Sequence, residues 1–298
     1  MAIAVLLSSC TRVGTTEGAS TADGGRHPWT IAGTLRVALP DAPNTLQPLL
    51  SSNTSEVFLN RLTSDPLVTT DPDGKTQIPV LAAEVPTLAN GGISRDGLTI
   101  TYHLRRNVKW HDGAPFTSDD VRFSYQAVMN SANNVESRVG YDVISHVDTP
   151  RPDVVVFHLK RRFAPFVNTV FGDGDSPMEV VPAHLLAKLP NINKTTYNDH
   201  PVGTGPFKIK RWVRGDRIEL VANDDYFLGK PKLRAITVRF IPDENTEVNA
   251  LRTHDVDWLF EASPSLYKEL KGMPEVHNVL SSMNQYEGHV FTTSGVPR

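Results

Sequence analysis

Few residue groupings in this chain have the spacing that catalysis or phosphate binding requires. His111-Asp112 comes first, because an imidazole beside a carboxylate can be tuned as a base or as a metal ligand. The pair precedes Gly113 and Pro115, between a strand ending near Val108 and a helix starting at Ser118. In such a tight turn the Asp caps backbone N–H groups and the His packs on Trp110, so a structural role is expected. Gly74-Lys75-Thr76 resembles the end of a phosphate-binding loop, but Thr69 stands where the leading glycine is required. Asp71-Pro72-Asp73 before it reads as a polar turn. Gly203-Thr204-Gly205 lacks the third glycine and the downstream acid of a dinucleotide fingerprint, and reads as a turn. There is no His-Glu-x-x-His helix and no Gly-x-Ser-x-Gly elbow. The ten histidines show no clustering with carboxylates that would specify a metal. No catalytic residue, metal site or cofactor is expected.

The elements that would position any site belong to a chain of 298 residues, 39% hydrophobic and 21% charged, which is enough to bury a core of more than one lobe. A net charge of −3, with Lys and Arg spread out, gives no basic field to recruit nucleic acid. The single cysteine, Cys10, excludes an internal disulfide framework and any multi-thiolate zinc site. It follows the apolar run Ala2 to Leu7 and Ser8-Ser9, an ending that looks like the lipobox of a bacterial lipoprotein signal. No Lys or Arg precedes Cys10, so residues 1–10 read as a signal remnant, with Cys10 the lipid attachment. Residues 11–33 are rich in Thr, Gly, Ser and Ala and read as a flexible tether. No later segment reaches the ~18 apolar residues of a membrane span.

The folded part is expected from Thr34. Leu35, Val37 and Leu39 alternate as in a half-buried strand, as do Leu98, Ile100, Tyr102 and Leu104. Val154 to Leu159 is apolar on both faces and suits a central strand. Phe207 to Ile209, Ile218 with Leu220, and Ile236, Val238 and Phe240 continue the series. Thr117 and Asp120 have the spacing of a capping box, and Val121, Tyr125, Val128 and Met129 then share one helical face. A second helix is expected near Pro182, burying Leu185, Leu186 and Leu189, and a third around Glu247 to Arg252. This order predicts an α/β architecture with mixed sheets.

Leu98 to Tyr125 (LTITYHLRRNVKWHDGAPFTSDDVRFSY) resembles the signature of the family 5 bacterial extracellular solute-binding proteins, the dipeptide-, oligopeptide- and nickel-binding group. Val202 to Leu233, with its Gly-Thr-Gly-Pro-aromatic turn and Asn-x-x-Tyr-aromatic-x-Gly-Lys-Pro run, is similar to a second block of that family, and Ile236 to Trp258 to a third. Asn44 to Pro48 resembles its first loop, which usually carries Asp where Gln47 stands. The resemblance implies a two-lobed fold of the type II periplasmic-binding-protein kind. Residues 34–50 and 150–242 would form lobe I, and 51–149 a small subdomain packed on it. Residues 243–298 would begin a truncated lobe II.

It further implies capture of oligopeptides or related solutes for the permease of an ABC importer, by a monomer outside the cytoplasm. Its lipid would hold it to the outer face of the membrane, or to the periplasmic side in a Gram-negative cell. Asn44 and Thr45 in the first loop, and Trp258 and Phe260 past the crossover, are the candidate ligand contacts. Two competing readings are an incomplete gene product without binding activity of its own and a hydrolase using His111 and Asp112.

Overall fold

The computed structural model describes residues 29–71, 74–172, 178–261, 263–273 and 276–278. Cys10, most of the expected tether and residues 281–298 lie outside them. The chain runs through strand β1 (Thr34–Leu39), helix α1 (Thr54–Thr63), the antiparallel pair β2 (Val68–Thr70) and β3 (Gln77–Pro79), and strand β4 (Thr99–His103). Helix α2 (Ser118–Met129) leads into β5 (Ile144–Arg151) and β6 (Val154–Leu159). Short helices α3 (Phe166–Thr169) and α4 (Ala183–Leu186) precede β7 (Phe207–Val213), β8 (Arg217–Ala222) and β9 (Ala235–Phe240). Helix α5 (Glu244–Arg252), strand β10 (Trp258–Leu259) and helix α6 (Pro264–Leu270) follow.

Two sheets carry the structure. One has the order β10-β1-β9-β8-β7 and is mixed, since β1 runs parallel to β9 and β10 while β7, β8 and β9 are antiparallel. The other is the antiparallel sheet β4-β6-β5, with β6 in the middle as its two-faced apolar sequence requires. The expected boundary at residue 150 falls within β5, and β6 pairs with β4, so Val154–Leu159 belongs with the 51–149 segment rather than with the five-stranded sheet.

Successive side chains of a strand point to opposite faces, and β1 uses both. Val37 and Leu39 pack with Ile218, Leu220, Ile236, Val238 and Phe240 under α1, through its Leu59 and the preceding Leu46. Ala38 points the other way and packs with Ile241, Val248, Val256 and Leu266 under α5 and α6. A third core lies around Tyr102, Phe157, Trp110, Val121 and Val128, between the second sheet and α2. The Asp120 carboxylate accepts the Thr117 N–H at 2.8 Å, the acid half of the capping box, and also the Ala183 N–H at 2.9 Å. One acid thus starts α2 and ties it to α4.

Two expectations are corrected. The helix after Pro182 is a single turn, and only Leu186 is buried, while Leu185 is 42% and Leu189 40% exposed. Pro190 restrains Leu189 from the helical region, so the helical face never develops. The expected tether is tied down at its end. Trp29 stacks on His254 with centroids 3.9 Å apart and accepts from Arg36, and the Gly33 carbonyl accepts the Arg234 amide.

The two bodies of the fold meet where the Gly203-Thr204-Gly205 turn crosses the end of α1. The Gly205 amide donates to the Thr63 carbonyl at 2.9 Å. A Cβ on Gly203 would lie inside the contact shell of that carbonyl oxygen, and one on Gly205 would lie 2.5 Å from the Thr63 carbonyl carbon. Glycine is therefore needed for close backbone approach. Gly203→Ala is expected to cost at least ~2 kcal/mol, because backbone must move. Gly215→Ala, with φ 73° and nothing near its Cβ, should cost only about 1 kcal/mol. Urea denaturation of both variants checks this, and equal losses would contradict the close-approach argument.

Candidate functional site

In a sheet with parallel strands, a crevice opens at the carboxyl ends of neighbouring strands whose connections leave on opposite faces. β1 and β9 are such neighbours: the chain after β1 passes to α1 on one face, and the chain after β9 to α5 on the other. The β1–α1 loop, the β9–α5 connection and the chain after β10 therefore gather at one end of the sheet. A hollow of about 480 Å³ lies against α5 there, lined by Ile241, Asp243, Thr246, Asn249, Thr253 and Asp255 among others.

The first loop is held by a buried acid. Glu56, in the first turn of α1, accepts the Asn44 and Thr45 amides through Oε1 at 2.8 and 3.3 Å, and the Ser52 amide through Oε2 at 2.8 Å. The Thr45 hydroxyl accepts the Gln47 amide, and the Asn44 carbonyl accepts from Arg214, which lies over the Trp212 ring and pairs with Asp199. Gln47 is fully buried; its Oε1 accepts the Leu49 amide, but its Nε2 has no partner. An Asp, common in the resembling family, would leave no such orphaned donor.

Trp258 and Phe260 do come together. Phe58 of α1 bridges them, with its centroid 5.7 Å from Trp258 and 4.4 Å from Phe260, and the latter two are 5.8 Å apart. The result is an aromatic ledge at the edge of the sheet, on which Trp258 remains 41% exposed. Asn44 and Thr45 reach this ledge only through α1, which carries both Glu56 and Phe58. Beside it, burial and the nearby Asp41 carboxylate push the Glu261 carboxyl above its usual range. Neither Glu56, Phe58 nor Glu261 was singled out by sequence. The Asn53 cap preceding a helix start was the available signal for the first.

The family model described as bacterial extracellular solute-binding proteins, family 5 Middle, matches residues 78–295. The chain belongs to that family. It is 29% identical over 271 residues to the oligopeptide-binding protein AppA of Bacillus subtilis, covering 90% of this chain and 47% of that protein. It is 31% identical to protein XP55 of Streptomyces lividans, covering 79% of this chain and 40% of the relative. Among solved structures, AppA of Bacillus subtilis in complex with a nonapeptide matches with a TM-score of 0.72 at 28% identity, over 80% of this chain and 45% of that one. NikZ of Campylobacter jejuni in complex with Ni(L-His) matches with a TM-score of 0.71 at 28% identity, over 82% and 46%. The fold is thus that of the periplasmic binding proteins, and this chain spans just under half the length of these relatives.

The His111-Asp112 pair is held by the glycine turn. His111 does not lie on Trp110. Its ring is inserted into the Gly203–Gly205 turn: the Gly203 amide donates to Nδ1 at 3.2 Å, and Nε2 sits 2.9 Å from the Gly205 carbonyl. These partners fix the neutral tautomer with the proton on Nε2, leaving no lone pair for proton abstraction. Burial, with Lys208 nearby, lowers the His111 pKa to about 4. Asp112 does cap the turn, through the Ala114 amide at 3.1 Å, and pairs with His184 rather than with His111. Among the described residues, the expectation that histidines and carboxylates do not cluster fails at one place: His146, Asp148 and His158 offer ligand atoms within 4.8 Å of one another. Cross-strand pairing of β5 and β6 joins positions that sequence spacing keeps apart.

Asp65 and Glu179 are buried at the same junction as His111, and burial raises their pKa values to about 6 and about 7. Native Asp65 and Glu179 bind protons more readily than the unfolded chain, so their contribution falls as pH rises from about 4 to 7. His111 has the opposite sign: its contribution is present above about pH 6.5 and is lost as pH falls toward 4. Subtracting a His111→Gln variant isolates it. The stability difference between wild type and variant should grow by up to ~3 kcal/mol between about pH 4 and pH 6.5. A pH-independent difference, or a His111 ring that NMR shows titrating near 6.5, would contradict the assignment.

Proposed function

We propose that this protein captures a peptide or chemically related small solute outside the cytoplasm and delivers it to the permease of an ABC importer. The observation that carries this is the Trp258–Phe260–Phe58 ledge on the β10 edge of the sheet, where Trp258 is exposed, together with a first loop held by Glu56 on the same helix as Phe58. The rings of Trp258, Phe260 and Phe58 offer a large apolar surface to an extended ligand, and Asn44 and Thr45 supply polar contacts from the first loop. The B. subtilis relative was solved with a nonapeptide and DppA of Helicobacter pylori with the peptide STSA, which supports peptide as the first ligand class to test. His111 and Asp112 are both engaged in the turn, and the geometry favours binding over hydrolysis.

Isothermal titration of the full-length protein with defined peptide pools tests the reading. Trp258→Ala should weaken binding by about 1–2 kcal/mol, or roughly tenfold, with folding intact because the ring is already exposed. No heat from any pool with folded protein, or unchanged affinity in the variant, counts against it. Anchoring through Cys10 is proposed separately: Cys10→Ser should move the protein from the detergent phase to the aqueous phase in Triton X-114 partition. Aqueous partition of the wild type would refute the anchor while leaving the solute reading intact.

A further inference from the structure

The outer face of the three-stranded sheet carries a cluster that the solute site does not use. His146 and Asp148 lie two apart on β5, and His158 on β6 stands directly opposite His146 in the register. A bulge creates this juxtaposition. Ile144 pairs with Leu159 and His146 with His158, so Ser145 is the extra residue on β5. Bulges re-aim side chains in this way. The Asp148 Oδ2 sits 3.1 Å from Nε2 of His158 and 3.8 Å from Nε2 of His146. Two imidazole nitrogens and a carboxylate oxygen around a tetrahedral cation at ~2.0–2.1 Å lie about 3.3 Å from each other; the two nitrogen–oxygen distances bracket that value, and all three atoms lie within 4.8 Å of one another.

Ser145 supplies the supporting contact. Its hydroxyl donates to the His158 carbonyl at 2.9 Å, so its contact of 3.0 Å with Nδ1 of His146 must be an N–H of the ring donating to the Ser oxygen. With the proton on Nδ1, the Nε2 lone pair of His146 is free and aimed beside Asp148. A hydrogen-bonded far nitrogen is how proteins commonly fix a histidine as a metal ligand. At His158, Nε2 lies against Asp148; a cation would bind the neutral tautomer in which the ring proton has moved to Nδ1 through solvent and Nε2 carries the lone pair. The two rings now stack at 4.1 Å with 6° between planes. Rotation about their soft terminal torsions turns both lone pairs toward one point, and solvent on this side leaves room for water to complete the shell.

We propose that His146, Asp148 and His158 form a surface site for a late first-row divalent cation, Zn²⁺ or Ni²⁺, that staples β5 to β6. Two imidazoles and one carboxylate suit these ions over Mg²⁺ or Ca²⁺, which prefer all-oxygen shells. The site lies on a different sheet from the aromatic ledge and does not depend on the solute reading.

The test is calorimetric titration of the untagged full-length protein with ZnCl₂, and separately with NiCl₂. About one equivalent should bind the wild type at this site, and His146→Gln and His158→Gln should each weaken it at least about tenfold, with Ser145→Ala losing about tenfold through the orienting contact. His200→Gln, exposed elsewhere, should bind as the wild type does. All four positions are at or near the surface, and circular dichroism confirms folding. Identical binding in the wild type and both ligand variants, or no binding of either cation, overturns the proposal.

Discussion

The Thr63 carbonyl accepts the Gly205 amide across a gap with no room for a side chain, and the two halves of the molecule are joined on that contact. α1 brings Thr63 from beneath the five-stranded sheet. The His111 turn brings the second sheet and α2 to the other side of the same glycines. The junction is reinforced by polar groups that burial makes costly. Asp65 accepts from Thr204 at 2.9 Å and from Tyr226 at 2.8 Å. Such groups add little net stability, because desolvation offsets their attraction, but they penalise every arrangement that leaves one unpaired. Their value is geometric. The turn cannot slide along α1 without stranding an acid.

From that fixed junction the candidate site follows by topology. β1 is the strand whose two faces serve two layers, and its neighbours β9 and β10 run parallel to it. Here the chain leaving β1 goes to one face and the chain leaving β9 to the other, and the crevice at such a switch point is where open α/β sheets bind ligands. Arg36 at the start of β1 secures the arrangement from the far end. It pairs with Asp257 at 2.6 Å and also bonds the His254 carbonyl, fixing the short strand β10 and with it the ledge.

Local periodicity made the strands legible. Alternation in 34–39 and 98–104, the two-faced run 154–159 and the Thr117/Asp120 cap each reappear as an element, because each depends on neighbours a few residues away. What sequence could not show depends on distant partners. His111 finds its bonds more than ninety positions away, at Gly203 and Gly205, so its turn looked self-contained. His146 and His158 become neighbours only through a bulge at Ser145, which spacing does not announce. Leu185 and Leu189 looked apolar enough to be buried, but a one-turn helix has no face to present. The same limit hid Glu56, since a glutamate in a first helical turn reads as an ordinary dipole partner until its loop folds back over it.

That fold-back bears on how a solute would be held. Binding loops often order only when the ligand arrives, and the ligand's free energy is then partly consumed in ordering them. Here the first loop is already ordered by three amide bonds to one carboxylate and by Arg214 on the Asn44 carbonyl. The ledge is ordered by mutual ring contacts with Phe58 on the same helix. Loop and ledge therefore form one wall, both fastened to α1. On the proposed reading, little of the solute's interaction energy goes into arranging this wall. It remains available as the differential affinity for closed over open forms, which is the only means by which a ligand can shift such an equilibrium.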